Sequence, residues 1–155
     1  MSTMNLSTTV AAPLSQVFEA FADFSKADQT VESIVRIEML TDGPVDVGTR
    51  FRETRIMFGR EATEEMEVTA FERDRLVTVS ANSCGSTFDS TFRFTPEGNN
   101  TRVDMEMITA PVTLMAKLMW PIGWMMKGTM KKMMQGDMDQ VKAACEGSSL
   151  AGNAV

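Results

Sequence analysis

The chain has 155 residues, a formal net charge of −6, no histidine, no tyrosine and two cysteines. That length suits one domain, able to bury about 68–70% of its unfolded surface without a disulfide or metal staple. The acidic balance argues against a nucleic-acid partner, and the missing His removes the commonest general base and metal ligand. Cys84 and Cys145 make neither a disulfide framework nor a zinc spacing, so no metal and no cofactor is expected. The opening "MSTMNLSTTV" has no basic and apolar leader pattern. The longest apolar-leaning run, 112–126, carries Lys117 and Pro121 and falls short of the roughly 20 residues that span a bilayer. A cytoplasmic location is the expectation.

In chain order, Leu6, Thr8 and Val10 alternate and predict a first strand over 4–11. The period then changes: Leu14, Val17, Phe18, Phe21 and Phe24 recur at three- and four-residue steps, the stripe of an amphipathic helix with Pro13 in its first turn. Residues 25–32 suit a second short helix. From Ile34 to Thr109 the period is mostly two, and turn signals at "TDGPVDVG", "FGRE", "ERDR", "NSCGS" and "TPEGNN" divide it into six strands of an antiparallel meander. Phe88, Phe92 and Phe94 share one strand face, as do Val103, Met105 and Met107, and Met66, Val68 and Ala70. One dry face and one wet face describe a sheet packed along one side only.

The covering element is predicted at the C-terminus. Met115, Met119, Ile122, Met126, Met130, Met133, Met134, Val141 and Cys145 follow a helical step, interrupted by Pro121 and Gly123. The main helix is expected at 123–146, with 111–123 as broken backbone forming a portal, and 147–155 as a tail outside a single domain of residues 1–146.

This order resembles the helix-grip plan of the START-like SRPBCC superfamily, in its polyketide cyclase/dehydrase and lipid-transport branch. The likeness rests on "TTVAAPLSQVFEAFADFSK", on "GPVDVGTRFRET", and on "EVTAFERDRLVTVSA" followed by "STFDSTFRFTPEGNNTRVDMEM". It implies an α+β fold in which a curved antiparallel sheet of about seven strands wraps a long C-terminal helix, with one or two short helices after the first strand. It also implies an apolar cavity between sheet and helix that takes a hydrophobic small molecule or lipid. Enzymes of this family place an Arg, Tyr, His or carboxylate in the cavity; the absence of Tyr and His here leans against catalysis.

Fifteen methionines are available for such a wall, seven of them between Lys117 and Met138. Met is unbranched and polarizable, so it fills irregular space and adapts to differently shaped guests, although plain core packing is the simpler use of such a stripe. Candidate lining residues are Phe51, Met57, Met66, Phe88, Phe92, Met105, Met107, Met119, Met126, Met130 and Met134. Strand 49–58 has two registers open. In one, Phe51, Glu53, Arg55 and Met57 face inward and the charged pair orients a ligand; in the plainer one, Ile56 and Phe58 face inward and the charges lie in water. Ser90, with Ser83 and Asn82, is a further polar candidate. Glu64, Glu65, Glu67, Asp104 and Glu106 read as a solvated sheet face, and Cys84 as structural. Lys117, Lys127, Lys131 and Lys132 with Trp120 and Trp124 form a basic amphipathic stretch fit for transient contact with a membrane surface. The alternatives to simple binding are a cyclase/dehydratase-type enzyme using Glu53 and Arg55, or an interaction module in which the Met-rich helix docks a partner or forms a homodimer.

Overall fold

Alternation of apolar and polar side chains builds seven strands: β1 (Ser2–Val10), β2 (Ile34–Met39), β3 (Arg50–Met57), β4 (Arg60–Glu72), β5 (Leu76–Ser83), β6 (Ser86–Glu97) and β7 (Asn100–Pro111). They form a single antiparallel sheet in the order β1-β7-β6-β5-β4-β3-β2, so the chain runs as a meander from β2 to β7 and closes by laying β1 against β7. The computed structural model describes residues 2–83 and 85–153, with 148–153 described by backbone alone. Register shifts between Ile34 and Arg36 and between Val68 and Ala70 are bulges, which raise local twist and help the sheet curve.

Between β1 and β2 the three-to-four-residue stripe makes α1 (Leu14–Ala22), followed by a 3-10 turn (Phe24–Lys26) and the short α2 (Ala27–Thr30). Helix α1 buries Val17, Phe18, Phe21 and Ala22. Phe18 meets Phe71 and Phe94 edge-on with ring centroids 5.4 and 5.1 Å apart, and Phe24 stacks on Phe51 at 4.9 Å. These aromatic contacts close one end of the curved sheet.

The C-terminal region differs from expectation in its breaks. Helices α3 (Leu114–Leu118) and α4 (Trp120–Met125) occupy the stretch read as irregular, and α5 runs Lys127–Asn153 rather than from 123 to 146. Pro121 lies in the first turn of α4, where its missing N–H would have had no partner, so it starts a helix instead of breaking one. Thr113 caps α3 by accepting a hydrogen bond from the Ala116 amide at 3.1 Å. The interruption falls at Met126, whose amide still donates to the Ile122 and Gly123 carbonyls. The expected tail at 147–155 falls largely on residues whose side chains lie outside the described ones, as does the reading of Cys84.

Helix α5 is fastened by its C-terminal half. Met138, Val141 and Cys145 are buried in the core shared with Leu6, Val10 and Val17. The Glu146 carboxylate accepts from the Ala11 amide at 2.9 Å, the Gln16 side-chain amide donates to the Cys145 carbonyl at 3.1 Å, and the Gln140 side chain accepts from the Glu32 amide at 2.8 Å. The interaction-module reading therefore loses this half of the helix, which is spent on the protein's own core. At the other end, Lys127 donates to the Thr3 carbonyl at 2.8 Å, setting the start of α5 against β1.

Candidate functional site

Because the first half of α5 crosses the concave face of the sheet without filling it, a cavity of ≈ 550 Å³ lies between them. That is within the size range of small-molecule sites, about 300–1,000 Å³. The sheet contributes Phe51, Met57, Met66, Phe88, Ser90, Phe92, Met105 and Met107. The helices contribute Met119, Met126, Met130 and Met134. The eleven candidate lining residues, together with Glu53, Arg55 and Ser90, all line this one space. Ser83 lines it as well, whereas Asn82 is exposed and outside it.

The walls are graded. Phe51, Met105 and Met107 are buried, while Met119 and Met126, with Phe58, Ile122 and Trp124, are exposed and mark the mouth. Phe58 gets there by an unusual route. It and Gly59 form the two-residue turn between β3 and β4 with φ of 53° and 78°, the left-handed conformation a tight hairpin demands and bulky residues rarely adopt.

Strand β3 takes the register that puts charge inside. Glu53 is buried beside Phe51, and Ile56 is exposed, so the plainer expectation of Ile56 inward is overturned. The physical reason is a partner from another element. Arg55 donates through Nε to Glu53 at 2.6 Å and through Nη1 to Asp137 of α5 at 2.9 Å, the three side chains being 14, 9 and 20% exposed. Asp137 also accepts from Ser33 Oγ at 3.2 Å. A buried charge is tolerable when paired and hydrogen-bonded in this way. Burial pushes the Glu53 carboxyl above its ordinary pKa; Arg55 pulls it back, and Asp137 and Glu64 push it up again. Burial works against the Arg55 charge, but Glu53 and Asp137 outweigh it and raise its pKa.

The reading of Glu64 as part of the solvated face is corrected: it pairs directly with Glu53 across the β3–β4 ladder and lines the cavity. Its parity with Met66 carried that signal. Glu65 and Glu67 are exposed, and they, Asp104 and Glu106 stay off the cavity. Asp137, unremarked in the sequence, lies three residues after Met134 and seven after Met130, hence on the same helix face. Phe21, Phe24, Trp120 and Met138 are among the other wall residues. Among the described residues no His, Cys, Asp or Glu group has the arrangement to hold a metal ion.

A family model described as polyketide cyclase / dehydrase and lipid transport matches residues 1–146. Among solved structures, the Zhui aromatase/cyclase of a Streptomyces species is similar at a TM-score of 0.76 and 16% identity, over 94% of this chain and 93% of that one. The di-domain aromatase/cyclase StfQ of the steffimycin biosynthetic pathway is similar at a TM-score of 0.77 and 13% identity, over 95% of this chain and 52% of that one. A Thermus thermophilus protein is similar at 0.68 and 17%, over 92% of this chain and 99% of that one. At these identities the likeness is one of fold. No curated protein matches the sequence.

Proposed function

The chain belongs to the polyketide cyclase/dehydrase and lipid-transport family, and on that premise we propose that it encloses a hydrophobic small molecule or lipid between its sheet and the Met-rich half of α5. The observation that carries this is the unfilled ≈ 550 Å³ space walled by Met and Phe side chains from both layers. Burial of the guest's apolar surface, at about 25 cal/mol per Å², drives binding. The methionines accommodate its shape, and the Glu53–Arg55–Asp137 group orients its polar end. Native mass spectrometry of protein purified without detergent tests this: a lipophilic adduct at one per chain is expected. A clean apoprotein mass that stays unchanged with fatty alcohols, quinones and polycyclic aromatics refutes it.

The guest enters past α3 and α4, and this face docks transiently on an anionic membrane surface. Leu114, Met115, Leu118, Trp124 and Met125 are each 69% exposed or more, far from what an isolated apolar side chain on a surface amounts to. Residues 107–136 hold Lys117, Lys127, Lys131 and Lys132 and no acidic residue, in a chain of net charge −6. Apolar and Trp side chains beside lysines suit the headgroup boundary. Cosedimentation with phosphatidylglycerol vesicles, weaker with phosphatidylcholine and lost in Leu118→Glu/Met125→Glu, is the expected result. Vesicle-independent sedimentation as a dimer that the same pair of substitutions dissolves would instead assign this face to a second copy. No helix among the described residues is long and apolar enough to cross a membrane.

One observation favours a second reading, a cyclase/dehydratase-type reaction in the same cavity. Glu53 is a buried carboxyl whose pKa is raised by burial, hydrogen-bonded to a guanidinium on the cavity wall, the kind of perturbed group that acid/base catalysis uses. Unchanged turnover of a bound polyketide-like substrate by Glu53→Gln/Arg55→Met would remove that reading.

A further inference from the structure

The ionisable groups on the cavity wall are not balanced. Among the described residues they are Asp23, Glu53, Arg55, Glu64, Lys127 and Asp137, four acids and two bases. Lys127 is bonded to the Thr3 carbonyl at the edge of β1, and Asp23 is occupied locally, accepting from Ser25 Oγ at 2.5 Å with Lys26 at 3.8 Å. What remains is one guanidinium among three carboxylates. Arg55 is bonded to Glu53 and Asp137 at once, and Glu64 stands directly across the ladder from Glu53. Like charges placed opposite each other on adjacent strands repel, and Arg55 is already shared. Lys127 is held at β1, four strands from β4 and ten residues before Asp137 on α5, roughly 15 Å along the helix, so it is not placed to neutralise the third.

An arginine inside an apolar pocket is ordinarily read as an anion receptor. Here its neighbours cancel that role. A ligand carboxylate at Arg55 would compete with Glu53 and Asp137 for the guanidinium and add a fourth negative charge to a poorly solvated wall. An ammonium would do the reverse, supplying positive charge and several hydrogen-bond donors to acceptors that hold more lone pairs than Arg55 can satisfy. Resting on the enclosure reading above, we infer that the cavity selects an amphiphile with a cationic, hydrogen-bond-donating head, a lipophilic amine, and discriminates against lipophilic acids. The apolar tail lies along Phe88, Phe92, Met105 and Met130, and the head sits between β3 and α5.

The test is displacement of a neutral fluorescent probe, N-phenyl-1-naphthylamine, by dodecylamine, dodecanol and laurate at pH 7.5, each below its micellar concentration. Dodecylamine is expected to displace the probe at roughly tenfold lower concentration than laurate, with dodecanol between them. Glu64→Gln, a half-buried site outside the Arg55 ion pairs, should narrow the amine-to-acid ratio severalfold. Glu67→Gln, which removes the same charge from the exposed face of the same strand, should leave it unchanged. Probe binding with laurate equal to or better than dodecylamine overturns the inference while the enclosure reading stands. So does an equal narrowing by Glu67→Gln, which would mark the preference as surface attraction. Failure of the probe and all three dodecyl compounds to bind overturns both readings.

Discussion

Replacing Gly85 with Ala perturbs a single contact that joins the β5–β6 hairpin to the start of α3. Gly85 has φ +75°, and an added methyl would overlap Thr113 Oγ1 while lying 3.0 Å from its Cγ2 and 3.2 Å from its Cβ. Rotating Thr113 moves Oγ1 aside only by giving up its cap on the Ala116 amide, and its Cβ stays 3.2 Å from the methyl. The Gly85 carbonyl also accepts from the Val112 and Thr113 amides at 2.8 and 3.1 Å, so the two segments cannot drift apart freely. A left-handed alanine costs about 1–2 kcal/mol, and forcing the methyl against Thr113 about 1–3 kcal/mol more. Thr113→Ala alone removes the α3 cap, at about 1 kcal/mol. In the double variant the overlap is gone, leaving backbone strain and the lost cap. Urea unfolding of the four proteins should therefore show the double variant about 1–3 kcal/mol more stable than the sum of the single effects. Additivity within about 0.5 kcal/mol would refute the contact as the seat of the constraint.

Three further outcomes are expected. Glu53→Gln should gain stability relative to the unmodified protein as pH rises. The folded pKa of Glu53 is raised, so the stability it confers is full below its unfolded pKa, near ~4.3, and is lost as pH climbs through the folded value, a loss Gln does not suffer; thermal melts in which the gap between the two proteins is flat from pH 4 to 8, or runs the other way, would contradict this. Ala81→Phe, on the cavity wall opposite Met66, should weaken binding of a lipophilic guest at least roughly tenfold while leaving or raising the melting temperature, since it fills empty space instead of opening it; a drop in melting temperature with unaltered binding would mean the side chain is not accommodated there. The Cys145 thiol, buried and pushed up to about 11 by burial and then by Glu146, should react with maleimide at pH 7.5 at least ~100-fold faster in denaturant than in the folded protein, as peptide mapping can follow at that residue.

Periodicity made the sheet legible because each strand buries one face: Phe92 and Phe94 on β6, and Met105 and Met107 on β7, report their side of the sheet by parity alone. The same rule placed the lining methionines of α5. It failed on β3, where Phe51 and Ile56 pull toward opposite registers and the deciding term, an ion pair with Asp137, comes from a helix 82 residues away. Nothing local to β3 encodes that partner. The α3–α4 break was also hidden, since Pro121 is a helix breaker in the interior and a helix starter in the first turn, and only the capping of Thr113 and the true break at Met126 distinguish the two. Glu64 was readable and missed: its parity agrees with Met66, but a carboxylate among Glu61, Glu65 and Glu67 passes for one more solvated charge.

Helix α5 divides its labour along its length. Beyond Asp137, Met138, Val141 and Cys145 are locked into the core, and Gln140 and Glu146 hold the loops before β2 and α1; before Asp137, Met126, Met130 and Met134 face a volume that is not filled by protein. Substitutions at Met126, Met130 and Met134 therefore bear mainly on which guest fits, those at Cys145 mainly on whether the chain folds, and those at Met138 and Val141, which are buried in the core and also line the cavity, on both. A lineage or a library could retune ligand preference by varying three methionines on one turn-spaced stripe, with the scaffold held constant by residues a few turns away. Screens for stability would pass over the very positions where specificity is free to change.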